Sequence, residues 1–149
     1  MNNIIKDDVT EISNNVDIKR FSGKTILLTG AGGFLGTYFT HFFLNLNDLG
    51  KLEQKCKIIC LDNFSRGNPK WLDGFKNRED FIVLEKNIVE SKQFPLCDFV
   101  IHAASIASPI YYRIYPIETM DANVIGLRNL LDFYKINKCE SFLYFSTSE

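Results

Sequence analysis

Ile26-Leu27-Leu28-Thr29-Gly30-Ala31-Gly32-Gly33-Phe34-Leu35-Gly36 is the stretch that decides the fold. The apolar run predicts a buried strand over 24–29. Phe34, Leu35, Phe39, Phe42, Phe43 and Leu46 predict a helix over 33–46 that buries all six side chains. A strand turning through glycines into a helix N-terminus aims backbone N–H groups and the helix dipole at an anion, as in sites that hold a dinucleotide pyrophosphate. Gly30 permits the tight turn, Gly33 lets the backbone approach the phosphates, and Gly36 lets the helix sit close on the sheet. The spacing is Gly-x-x-Gly-x-x-Gly, which alone is weakly specific. Asp62 adds a second signal by ending the next apolar run, Lys57-Ile58-Ile59-Cys60-Leu61. A carboxylate there accepts hydrogen bonds from the ribose hydroxyls and repels a 2′-phosphate, favouring NAD over NADP. Arg66 softens that preference, and Asp62 also suits a plain turn.

Outward from this unit, the chain alternates strands and helices. Strand two is predicted over 57–62, strand three over 81–84, strand four over 98–102 and strand five over 141–146. Asn63 to Pro69 reads as loop, with a short helix through Trp71, Leu72 and Phe75. Residues 103–114 read as a long loop, and Pro116 as the first turn of a helix running to Lys138. Ile5, Val9, Ile12 and Val16 recur at helical spacing, so residues 3–19 read as an amphipathic helix packed on the domain; a frayed tail is the alternative. The expected class is α/β: a doubly wound parallel sheet of five strands, with helices on both faces. Residues 1–22 form an N-terminal extension, and residues 23–149 an incomplete nucleotide-binding domain.

Ligands of such sheets lie beyond the carboxyl ends of the strands. Five loops meet on that rim: Gly30–Gly36, Asp62–Gly67, Asn87-Ile88, His102–Pro109 and Ser146–Glu149. Composition excludes other classes. A net charge of -1 leaves no electrostatic footprint for nucleic acid, and no apolar run approaches a membrane span. The N-terminus lacks signal-peptide character. Cys56, Cys60, Cys97 and Cys139 form no Cys-x-x-Cys pair, which implies reduced thiols, a cytoplasmic protein and no metal site.

The chain resembles the extended short-chain dehydrogenases that act on nucleotide sugars, the NAD-dependent epimerase/dehydratase family, whose fold is of Rossmann type. The match rests on Thr29–Gly36, Leu61–Gly67, His102–Pro109, Pro116–Thr119, Asn123–Gly126 and Ser146–Glu149. Within that family it is most similar to the UDP-glucuronate decarboxylases, which make UDP-xylose. The similarity covers residues 23–149 and only the first half of a family member, so the substrate domain is absent. The resemblance implies NAD as cofactor and a nucleotide sugar, UDP-glucuronate, as substrate. The chemistry implied is oxidation at C4, loss of carbon dioxide from the resulting β-keto acid, and re-reduction.

By resemblance, the cofactor is held by Gly30, Gly33, Phe34, Leu35, Gly36, Asp62, Asn63, Ser65, Gly67, Asn87, Ile88, Ala103 and Ser105. Thr147 would bond the C4 oxygen, Ser148 would line the sugar site, and Glu149 would position the sugar or assist proton movement. Asn123 and Asn129 could contact substrate, or could be ordinary polar positions on a helix. Related dehydratases place an Asp-Glu pair after the threonine, and the 4-epimerases lack the glutamate. Ser148-Glu149 fits decarboxylation best. Two positions depart from the family. Asp121-Ala122-Asn123 stands where decarboxylases show Lys-Thr-Asn, and Asn87 stands where an aspartate contacts adenine.

The family's catalytic Tyr-x-x-x-Lys would lie beyond Glu149. Tyr134 and Lys138 share its spacing but precede strand five, so that match reads as coincidence. The chain alone is therefore expected to be inactive. Alternatives are a 4,6-dehydratase, a 4-epimerase, or a non-catalytic NAD-binding module. The resemblance also implies a possible homodimer in the full-length form, paired through the helix at 116–138 and the one after it. Only the first of these is present here, so that pairing could fail and leave apolar surface exposed.

Overall fold

The computed structural model describes residues 3–146. Five strands form one parallel sheet in the order β3-β2-β1-β4-β5. They are β1 (Thr25–Thr29), β2 (Lys57–Asp62), β3 (Phe81–Glu85), β4 (Phe99–His102) and β5 (Ser141–Tyr144). The register sets Thr29 against Leu61 on one side and against His102 on the other, so the three central strands end level. The order reverses at β1, which is the switch point where such sheets open a crevice.

Alternation along the strands divides the core in two. Ile26, Leu28, Ile58, Cys60, Phe81, Phe99 and Ile101 pack under helix α2 (Phe34–Asp48). Leu27, Ile59, Leu61 and Val100 face the other way, toward Leu130 and Tyr134 of helix α5 (Leu127–Asn137). The parallel sheet with both faces covered is the Rossmann-type fold expected from the sequence.

Three expectations need correction. Phe34 and Leu35 are not on the buried side of α2: they are 78% and 39% exposed. The first turn of α2 stands beyond the strand ends, so only Phe42, Phe43 and Leu46 are fully enclosed. Residues 103–114 are not all loop, because Pro109 starts helix α3 (Pro109–Ile114) behind an extended Ser108. The helix expected over 116–138 is three pieces: α4 (Pro116–Asp121), a π-turn (Ala122–Gly126) and α5. Tyr115, at φ -121 and ψ 59, separates α3 from α4, since a residue before proline is driven out of helical geometry. The π-turn brings Gly126 against Ile88, where any side chain at 126 would collide with the Ile88 side chain.

The N-terminal helix α1 (Asn3–Asn15) packs Val9 and Ile5 on the α2 side of the core, whereas Ile12 and Val16 stay about half exposed. A 3-10 turn at Lys19–Phe21 follows, with Phe21 edge-on to Phe43 and Phe99.

Candidate cofactor site at the strand ends

The glycine turn follows β1 directly. Gly30 has φ +72, and a Cβ there would lie 2.5 Å from the Ala103 carbonyl oxygen. Both the conformation and the space therefore require glycine. Gly36 lies so close to the Gly30 and Ala31 carbonyls that a Cβ would overlap them, which sets α2 hard against the turn. Gly33 differs: it is extended and exposed, with only the Gly30 oxygen, 3.2 Å away, near its would-be Cβ. It caps α2 without any side-chain hydrogen bond. The amides of the first turn, Phe34, Leu35 and Gly36, come too early for intrahelical acceptors and face the rim.

Asp62 ends β2 beside this turn. Its Oδ2 accepts from the Gly32 N–H at 2.9 Å and its Oδ1 from the Phe64 N–H at 2.8 Å. Each carboxylate oxygen keeps a free lone pair, so the group can still accept from vicinal hydroxyls. The Gly32 bond was not foreseen from the sequence, although two successive glycines beside a strand-end carboxylate were its only available signal. Asn63 Oδ1 accepts from the Ser65 N–H at 3.1 Å, and the Gly67 N–H donates to the Phe64 oxygen at 2.8 Å. Asn63, Ser65 and Gly67 are all exposed on this folded-back loop.

On the other flank, the Ala103 N–H donates to the Thr29 oxygen at 3.1 Å, and Ser105 is exposed just beyond. Below them His102 is fully buried. Its Nδ1 lies 2.7 Å from Thr29 Oγ1, and its ring stacks on Tyr144. Burial lowers its pKa to about 4, which keeps the ring neutral, and Nε2 has no hydrogen-bond partner among the described residues. Sequence pattern could not show this orphaned nitrogen.

Asn87 and Ile88 follow β3. The Asn87 Oδ1 accepts from the Val89 N–H at 3.0 Å, and its Nδ2 donates to Glu90 at 2.9 Å. Ile88 is buried. Asn123 donates to the Thr119 carbonyl one turn back. Asn129 is only 4% exposed; its Nδ2 donates to the Ile88 and Val89 oxygens at 2.9 and 2.8 Å, while Lys92 donates to its Oδ1. The amide thus ties α5 to the loop after β3, a different engagement from the substrate contact considered from the sequence. Thr147, Ser148 and Glu149 lie outside the described residues.

Tyr134 sits at the opposite end of the sheet. Its hydroxyl donates to the Pro95 oxygen at 2.6 Å and receives the Cys97 thiol, and burial pushes its pKa well above the usual phenol range. A hydroxyl so placed is remote from the rim. Among the described residues, no group of three or more His, Cys, Asp or Glu could hold a metal, and no helix is long and apolar enough to cross a membrane.

The arrangement fits a dinucleotide. A helix N-terminus without a side-chain cap offers amides to a diphosphate, the exposed extended Gly33 leaves it room, and a carboxylate with spare lone pairs stands beside it. Comparison with known proteins agrees. A sequence profile of the NAD dependent epimerase/dehydratase family matches residues 26–149. UDP-glucuronic acid decarboxylase 6 of Arabidopsis thaliana is 30% identical over 114 residues, 76% of this chain and 31% of that protein. UDP-glucuronic acid decarboxylase 1 of Danio rerio is 30% identical over 112 residues, 75% of this chain and 25% of that protein. The chain thus spans less than a third of the length of these curated relatives.

Among solved structures, a UDP-glucose 4-epimerase from Thermotoga maritima superimposes with TM-score 0.63 at 25% identity, covering 83% of this chain and 38% of that one. An epimerase from Methanothermobacter thermautotrophicus gives TM-score 0.66 at 24% identity, over 87% and 37%. The cofactor expected from the sequence, NAD, is the one for which the matched family is named.

Proposed function

Because the chain belongs to the NAD dependent epimerase/dehydratase family, we propose that it is the NAD-binding part of a nucleotide-sugar-modifying enzyme acting as a UDP-glucuronate decarboxylase. The observation that carries the cofactor half is the Gly32 N–H bond to Asp62, which fixes a ribose-binding carboxylate against the pyrophosphate turn. The substrate half is supported by the decarboxylase relatives at 30% identity.

Bound NAD would supply the hydride acceptor for oxidation at C4 of the sugar. The protein's own contribution is position. The Phe34, Leu35 and Gly36 amides would hold the diphosphate, and Asp62 would accept from the adenosine ribose with Asn63, Ser65 and Gly67 beside it. Asn87 and Ile88 would border the adenine, and Ala103 and Ser105 would lie along the opposite wall. Thr147, Ser148 and Glu149 would meet the sugar. A uronate oxidised at C4 is a β-keto acid and loses carbon dioxide without a paired acid and base, whereas water elimination needs a second carboxylate. Among the described residues, Tyr134 is no base for this chemistry, since its hydroxyl is turned to the far end of the sheet.

A 4-epimerase is the second reading, favoured by Asp121, the last residue of α4. An aspartate where decarboxylases have lysine disfavours a carboxylate-bearing sugar.

The test uses the full-length product, with the Tyr-x-x-x-Lys helix and the substrate domain, incubated with NAD and either UDP-glucuronate or UDP-glucose. Nuclear magnetic resonance of the products should show UDP-xylose and carbon dioxide from the first and no change in the second. Conversion of UDP-glucose to its 4-epimer, with UDP-glucuronate untouched, overturns the substrate assignment.

A further inference from the structure

The loop after β2 and the helix after β4 touch across the rim: the Arg66 guanidinium carbon lies 4.4 Å from the ring centroid of Tyr111. This contact has to span β1, because β2 and β4 flank β1 on opposite sides. At ordinary strand spacing their ends stand about 9–10 Å apart, with the glycine turn between them. Both partners are set by their own segments. Asp62 holds the Phe64 amide, and the Gly67 N–H closes a turn onto the Phe64 oxygen, presenting Arg66 near the turn's apex. Pro109 starts α3 and puts Tyr111 in its first turn. Both side chains are exposed, so the stack encloses nothing of the core.

We propose that Arg66 and Tyr111 form a clasp over the cofactor crevice, which opens to admit a dinucleotide and closes on it to slow its escape. The inference rests on the NAD reading above. The chemistry suits the position: guanidinium stacks on an aromatic face and still directs N–H groups at a phosphate in its own plane. Closed, the pair screens the diphosphate from water and adds a cation beside it. Arg66 and Tyr111 are thus retaining residues rather than catalytic ones.

Stopped-flow fluorescence, with bound NADH displaced by excess NAD, measures the escape rate on the 149-residue chain. Arg66→Ala and Tyr111→Ala should each speed release by about two- to fivefold, the scale of an exposed cation–π contact. The double variant should exceed neither single by much, since removing one partner already opens the clasp. Tyr111→Phe keeps the ring and should release at the wild-type rate. Unchanged release in both alanine variants overturns the clasp while leaving the NAD reading intact, as does a double effect equal to the product of the singles. If the wild-type protein, folded by circular dichroism, takes up no NADH, the cofactor reading falls and the clasp falls with it.

Discussion

At the scale of single residues, Gly30 and Gly33 belong to one motif and do different work. Gly30→Ala forces a left-handed alanine and drives its methyl into the Ala103 carbonyl. The expected cost is about 3 kcal/mol or more in urea unfolding. Gly33→Ala meets no such wall, so its stability loss should stay near 1 kcal/mol. Its methyl crowds the anion site, and NAD affinity should fall about tenfold by calorimetry, or roughly 1.4 kcal/mol. His102 makes a separate prediction. Its pKa of about 4 in the folded protein lies below the unfolded value near 6.5, so the unfolded chain binds a proton first as pH falls. Stability is therefore full above pH 6.5 and declines toward pH 4. By pH 5 this group alone should remove about 2 kcal/mol. His102→Phe should flatten that part of the profile while costing stability above pH 6.5, because Thr29 Oγ1 loses its partner.

Secondary-structure elements explain what could be read in advance and what could not. β2 was legible to the residue because Lys57–Asp62 is a local apolar run ended by a polar residue, and local patterning alone decides such a strand. The fate of Phe34 and Leu35 was not legible. Helical periodicity gives the face on which a side chain lies, but not how far the helix projects past the sheet. The broken helix after Pro109 was half visible: two prolines were on the page, but the π-turn that sets Gly126 against Ile88 involves a contact between distant segments. The site divides the same way. The turn at Gly30 and the close approach at Gly36 were readable because each acts through backbone geometry at a fixed offset. The Asn129 cross-tie and the Arg66–Tyr111 stack depend on segments that only the fold brings together. On α5, Tyr134→Phe should cost about 1 kcal/mol by removing the hydroxyl's bond to the part-buried Pro95 carbonyl. It should leave NAD affinity unchanged; a large affinity loss would return Tyr134 to the site.

At the scale of the whole molecule, one surface is conspicuously apolar. Ile110, Ile114, Ile117, Met120, Val124 and Leu131, spread over α3, α4, the π-turn and α5, are each 45% exposed or more. Large contiguous apolar patches on a protein surface mark interaction sites. We propose that in the full-length form this helical layer pairs two copies, which should appear in sedimentation velocity as concentration-dependent association. Ile117→Glu should shift the protein to monomer with little loss of unfolding stability, since that side chain is already largely in solvent. All other functional proposals depend on the rim at the carboxyl ends of β1, β2 and β4. Isothermal titration calorimetry of NAD into the folded 149-residue chain, beside Asp62→Ala, tests that rim most directly. The expected result is one NAD per chain, with affinity reduced at least about tenfold in the variant. No binding heat from the wild-type protein, or equal affinity in the variant, contradicts it.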